Sequence, residues 1–251
     1  MNWRTIILTL SMVCVLLGTA FLPRGSRSTS ASSTSPLAPS STVFSNPAQI
    51  NLFGGRTGPV YPSTINVSGL TGTIVKVTAK LKTVKHTWPD DLGVLLVGPT
   101  GVKVRLMTDA GGYTDFQNGH GFPGADLIFD DGAPVPIQDN PDNYIDSGTF
   151  KPTFGTTTVA PGDVLHPADF GPPAPASPYA LTLASFNGTD PNGAWKLYVD
   201  DDYPQNAETG NIEGGWSLVI TTTPVSTPGG NGEMAAAFQS DTDAILAFRT
   251  M

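Results

Sequence analysis

Trp195-Lys196-Leu197-Tyr198-Val199 and Trp216-Ser217-Leu218-Val219-Ile220 spell one phrase twice, Trp-x-Leu-x-aliphatic. Alternation with a period of two places Trp, Leu and Val or Ile on one face of a strand, and Lys and Tyr or Ser and Val on the other. Strands so one-sided, rich in aromatic and branched side chains, form a pair whose apolar face needs a second sheet to cover it. The phrase predicts an all-β chain folded as an antiparallel sandwich. Trp195, Leu197, Trp216 and Leu218 are expected to be buried on one sheet face.

Working outward, Val75, Val77, Ala79 and Leu81 alternate with Lys76, Thr78, Lys80 and Lys82, a half-buried strand with a basic outer face. Residues 92–97 form a continuous apolar run, the mark of a fully buried strand. Pro99-Thr100-Gly101 turns that run into the alternating segment 102–106. Residues 110–178 read as loop-rich, with 127–129 and 156–159 as short strands, and 179–183 resumes the alternation. The 251 residues include 28 Gly and 23 Pro. Beside clear alternating strands, that excess means many turns and long loops. No stretch carries the spacing of an amphipathic helix.

The ends read differently. Residues 1–22 carry Arg4, an apolar run and the small residues Gly18-Thr19-Ala20, the pattern of a secretory signal peptide. An uncleaved membrane anchor is the alternative, since the run approaches spanning length. Residues 23–45, rich in Ser, Thr and Pro, read as a linker. One sandwich domain is expected over 46–223, and a second linker with a tail over 224–251. Cleavage at the signal would remove Cys14, the single cysteine, and leave a secreted or cell-surface protein without disulfides.

Net charge is −8, from 21 acidic and 13 basic residues. That balance argues against a nucleic-acid partner, because affinity for phosphate backbones comes from clustered Lys and Arg. Beyond the signal segment no membrane contact is expected. The acidic residues crowd into short stretches, Asp90-Asp91, Asp130-Asp131, residues 139–146 and Asp200-Asp201-Asp202.

Three blocks resemble the P domain, also called the Homo B domain, of subtilisin-like proprotein convertases. The first is His86-Thr87-Trp88-Pro89-Asp90-Asp91-Leu92 running into Leu95-Leu96-Val97-Gly98-Pro99-Thr100-Gly101, with Gly98 where the family has serine. The second is Gly148-Thr149-Phe150-Lys151-Pro152. The third runs from Phe186-Asn187-Gly188 through Asn192-Gly193-Ala194-Trp195 to Gly214-Gly215-Trp216-Ser217-Leu218. Here Ile212 replaces a leucine and one extra residue precedes Trp216. The resemblance implies a jelly-roll sandwich of the galactose-binding-like type. It implies a domain that is not catalytic, but packs on a subtilisin-like serine endopeptidase domain, supports its folding and tunes its calcium and pH dependence. His86, Asp91, Trp195 and Trp216 take structural roles under it. Ahead of the blocks the family has a protease domain, whereas here a signal and a linker are read. Under the resemblance, serine-type endopeptidase activity is carried by a separate domain. Residues 169–178 are a Pro-rich insert relative to the family.

Candidate chemistry is sparse. Asn118-Gly119-His120-Gly121 is similar to the context of a subtilase histidine, but no Gly-x-Ser-x-Gly elbow accompanies it. His86, His120 and His166, without cysteine or carboxylates at ligand spacing, do not make a zinc site. Calcium fits better, because it takes six to eight oxygens from carboxylates, amides and loop carbonyls. Asp200, Asp201 and Asp202 with Asn206, Glu208 and Glu213 offer one such set. Asp130 and Asp131 with Asp139 and Asp142 offer a second; solvated acidic loops are the alternative. Trp88 and Tyr113 on loops suit stacking on sugar rings, which keeps a glycan- or surface-binding module open beside a protease or other extracellular protein as partner.

Overall fold

Residues 38–53, 60–111, 121–138, 145–155, 170–202 and 209–223 are described by the computed structural model of the chain. By internal contacts the chain divides into two units, Met1–Ser35 and Pro36–Met251, and every described residue belongs to the second. The expected signal segment and tail, the short strand at 156–159, His120, His166, Tyr113, Asp139, Asp142, Asn206 and Glu208 lie outside the described residues.

The described strands, in chain order, are β1 (Ser40–Asn46), β2 (Ile50–Phe53), β3 (Ser63–Val67), β4 (Ile74–His86), β5 (Leu92–Val97) and β6 (Lys103–Thr108). They continue with β7 (Phe122–Phe129), β8 (Gly148–Phe150), β9 (Thr153–Phe154), β10 (Gly193–Asp201), β11 (Thr209–Ile212) and β12 (Trp216–Thr222). A seven-stranded sheet runs β1-β12-β4-β11-β2, with β7 on β4 and β8 on β7. A five-stranded sheet runs β3-β10-β5-β6-β9. The two sheets enclose one continuous core, so the chain is an all-β sandwich. Pairing is antiparallel except between β6 and β9 and between β7 and β8.

Both tryptophans are buried, Trp195 at 0% and Trp216 at 2% exposure. They do not share a sheet face. Trp195 lies on β10 of the five-stranded sheet and Trp216 on β12 of the seven-stranded one, and both turn into the same core. Alternation reveals which side of a strand is apolar, but a sandwich has two inner faces, and nothing in a single strand says which sheet owns it. Lys196 is exposed and Ser217 half-buried on the opposite sides. Trp216 Nε1–H donates across the sandwich to Ser63 Oγ on β3 at 2.9 Å, and Asn46 Nδ2 donates to the same oxygen at 3.2 Å. Trp195 Nε1–H donates to Pro191 O at 2.9 Å, and its ring stands 4.8 Å from that of Phe186. Both indoles thus keep their polar atom satisfied inside the core.

Gly98 sits under those rings. A Cβ there would come within 2.9 Å of Phe186 Cε1 and 3.5 Å of Trp195. The β5–β6 hairpin forms as expected, with Gly101 at φ 87° and its N–H donating to Gly98 O.

Other expectations need correction. The Ser/Thr/Pro-rich stretch ends in a strand, since residues from Ser40 pair along the whole of β12; Val43 and Phe44 supply the β-forming side chains that its composition obscures. The alternation at 179–183 yields only an isolated bridge, Ala180 with Val104, before a 3₁₀ turn, Leu183–Phe186. That turn forms because Asp131 caps it from a distant loop, its carboxylate accepting the N–H groups of Leu183 and Ala184 at 2.9 and 2.7 Å. Tyr198, expected on an outward face, is buried with Leu95 and Val97 beneath Phe170 and Ala174 of the Pro-rich insert and Tyr179 just after it. The Tyr179 hydroxyl accepts from Phe170 N–H and donates to Pro175 O, which closes the insert on itself.

Candidate functional site

In the five-stranded sheet β5 runs opposite to both β10 and β6. The start of β5 and the ends of β10 and β6 therefore meet at one end of the sheet. At that end each strand meets aspartate: Asp90-Asp91 just before β5, Asp200-Asp201-Asp202 closing β10, and Asp109 after β6. All six are 2–7% exposed. Asp200 and Asp201 are part of β10, paired with Gly93 and Leu92, and not of a loop.

His86 ends β4 of the other sheet and reaches into this cluster. Its ring is buried; Nδ1 lies 2.7 Å from Trp88 O and 3.2 Å from Trp88 N, and Nε2 lies 3.3 Å from Asp201 Oδ2. Alternation along β10 turns Asp201 inward with Trp195, Leu197 and Val199, which is why it meets a side chain from the facing sheet. Gly210 on β11 makes room for the imidazole, because a Cβ there would stand 2.3 Å from His86 Cδ2. Asp202 N–H donates to Asp91 O at 3.0 Å, tying the end of β10 to the 3₁₀ turn Pro89–Asp91. Trp88, half-buried, precedes that turn. The imidazole is thus a joint between two sheets and a turn, with the carboxylate of Asp201 against its Nε2.

Burying an ionised carboxylate costs several kcal/mol unless charge or hydrogen bonds offset it. Arg105 on β6 is 8% exposed, with its guanidinium 4.6 Å from the Phe154 ring and 5.2 Å from that of Tyr179. Among the described residues, no three His, Cys, Asp or Glu side chains stand together so as to hold a metal ion.

The described members of the second acidic set, Asp130 and Asp131, are engaged in the fold. Asp130 accepts from Lys76 Nζ at 2.7 Å, Thr78 Oγ1 at 3.3 Å and Gly132 N–H at 2.8 Å. Partial burial pulls its carboxyl upward, but those donors together hold it below the usual value. Asp131 caps the 3₁₀ turn. A cavity of about 260 Å³ beside them is lined by Val75, Lys76, Asp131 and Ala184 among others. Glu213 pairs with Lys85 at 2.7 Å, far along β4 from Asp130.

Reading the residues had named Asp91, Asp200, Asp201, Asp202 and His86, which the structure brings together. It noted Asp90 only as part of an acidic stretch and missed Asp109. The signal for Asp109 was its place directly after an apolar strand antiparallel to β5.

No protein-family profile matches the chain. No curated protein matches it in sequence. Among solved structures it is similar to the Aeromonas sobria serine protease in complex with the chaperone, at 12% identity and TM-score 0.34, over 74% of this chain and 28% of that one. It is similar to the same serine protease alone at 12% identity and TM-score 0.32, over 75% and 28%. The chain spans little more than a quarter of those chains' length, and likeness at this level carries no argument about function.

Proposed function

We propose that this protein is a secreted, non-catalytic jelly-roll module of the P-domain type, which binds or stabilises a subtilisin-like serine endopeptidase carried on another chain. The observation that supports this most is the His86–Asp201 contact. It joins the first and the third of the blocks that resemble the P domain, far apart in the chain, in one buried structural joint. An imidazole with both nitrogens engaged in the interior is placed for holding strands, not for attacking a substrate. Gly98, the main departure from the family's first block, has its own reason in the rings of Phe186 and Trp195.

Calcium belongs to the same proposal. Its support is the placement of Asp200, Asp201 and Asp202, all buried, at the same end of the five-stranded sheet as Asp90, Asp91 and Asp109, and not a coordination set. Ca²⁺ takes its ligands from carboxylate and carbonyl oxygens of the kind gathered there.

Two assays on the purified protein test the class. The proposal expects no peptide hydrolysis that serine-directed inhibitors suppress, and no saturable glycan binding that Trp88→Ala abolishes. Inhibitor-sensitive hydrolysis by the protein itself would overturn the non-catalytic reading. Trp88-dependent glycan binding would replace it with the carbohydrate-binding alternative, which the half-buried Trp88 beside carboxylates keeps in view.

A further inference from the structure

A sheet edge exposes unpaired backbone N–H and C=O groups, and proteins guard such edges with short strands, charges, prolines or bulges. Most terminal strands described here are guarded by shortness: β2 has four residues, β8 three and β9 two. β3 has five, and its neighbour across the sandwich edge, Asn46, bonds to Thr64 O. β1 is different. It has seven residues, pairs with β12 in an unbroken register from Ser40↔Thr222 to Asn46↔Trp216, and ends the sheet among the described strands. Within Ser-Ser-Thr-Val-Phe-Ser-Asn there is no charge, proline or bulge.

Its outward face is also apolar at the centre. Val43 is 65% exposed, the most exposed large apolar side chain among the described residues. It stands beside Val219 of β12, between the outward Ser41 and Ser45. The next strand inward, β4, carries Lys76 and Lys80 where it lies beside β12, and these are paired with Asp130 and Asp126.

We propose that β1 pairs antiparallel with β1 of a second copy of this chain, joining two seven-stranded sheets about a two-fold axis through Val43. A two-fold interface requires a self-complementary surface, and this strand supplies one. Centring on Val43 sets Val43 against Val43, Thr42 against Phe44 and Ser41 against Ser45. β-branched and aromatic cross-strand pairs stabilise such a ladder, and no like charges oppose each other. The outer face then carries an unbroken apolar row, Val219, Val43, and the same two residues of the second copy. For a chain of net charge −8, mutual repulsion opposes close approach of two copies over most of the surface, and a neutral strand is where contact is least opposed.

Sedimentation of the wild-type protein across micromolar concentrations is expected to show a monomer–dimer equilibrium. Val43→Lys, at an exposed position, should leave the melting temperature unchanged at concentrations low enough for both proteins to be monomeric, but weaken association about tenfold or more, because two ammonium groups would face each other. Val43→Thr should keep the dimer. In a Cys14→Ser background, Val43→Cys should cross-link to itself on mild oxidation, whereas Ser45→Cys should cross-link only when mixed with Ser41→Cys. A wild-type protein that stays monomeric overturns the proposal. So does a Val43→Lys variant that dimerises as before, or self-cross-linking at 45 in preference to 43.

Discussion

Replacing Trp216 probes both the core and the seam between the two sheets. Its indole fills the space between β12 and β3, and Nε1–H reaches Ser63 Oγ at 2.9 Å. Trp216→Ala removes a fully buried ring from a packed interior, which costs about 3–5 kcal/mol, a large share of a domain's stability. Trp216→Phe keeps most of the volume and loses the hydrogen bond. The Ser63 hydroxyl keeps its donor Asn46, so the bond's own loss should be the modest one, about 0.5–1.5 kcal/mol. Ser63→Ala is harsher, because it strands the buried Nε1–H, at about 1–3 kcal/mol. The double variant, Trp216→Phe with Ser63→Ala, should then be more stable than additivity predicts, by about 0.5–1.5 kcal/mol of coupling. Urea unfolding at constant m-value reads each term. Additive effects of the two replacements, or a Trp216→Ala protein that unfolds at the wild-type midpoint, would refute the packing argued for this seam.

Three further outcomes are expected. Gly98→Ser should destabilise by about 1–3 kcal/mol, since its Cβ meets the Phe186 ring at 2.9 Å; a thermal melt at least as stable as wild type would contradict this, and Phe186→Leu in the same chain should relieve part of the loss. Asp126 accepts from Lys80 at 2.7 Å and from Thr83 N–H at 2.9 Å, and the Lys80 bond chiefly holds its carboxyl below the ordinary value of 3.8. A depressed folded value contributes stability above pH 3.8 that is lost as pH falls through the folded value, so Asp126→Asn should flatten the acid limb of stability against pH and leave its slope near neutrality unchanged. Finally, thermal unfolding should shift upward in millimolar Ca²⁺ and downward in chelator, with Mg²⁺ a poor substitute, and equal melting at fixed ionic strength would remove calcium from the account.

The alternating strands were legible because a two-residue period is a local property. β4, the buried β5 and the turn at Gly101 can be read from adjacent residues, and the structure has them. What alternation cannot carry is partnership. Trp195 and Trp216 look like one pair in the sequence, yet belong to facing sheets. The segment at 179–183 has the pattern of a strand, but the carboxylate of Asp131, from a remote loop, caps the 3₁₀ turn that interrupts it. The acidic end shows the same limit. Asp200, Asp201 and Asp202 stand out as neighbours in sequence, whereas Asp109 joins them only once β6 is known to lie antiparallel to β5. β1 was hidden for a compositional reason, because serine and threonine dominate both a linker and an edge strand.

The most direct measurement of the central claim is affinity capture from the secreted fraction with the full chain as bait, read with a fluorescent serine-hydrolase probe. The account predicts a probe-labelled chain that co-purifies with the bait and is larger than it, its labelling blocked by serine-protease inhibitor, while the bait itself stays unlabelled. Labelling of the bait, or capture with no labelled partner at all, would contradict it.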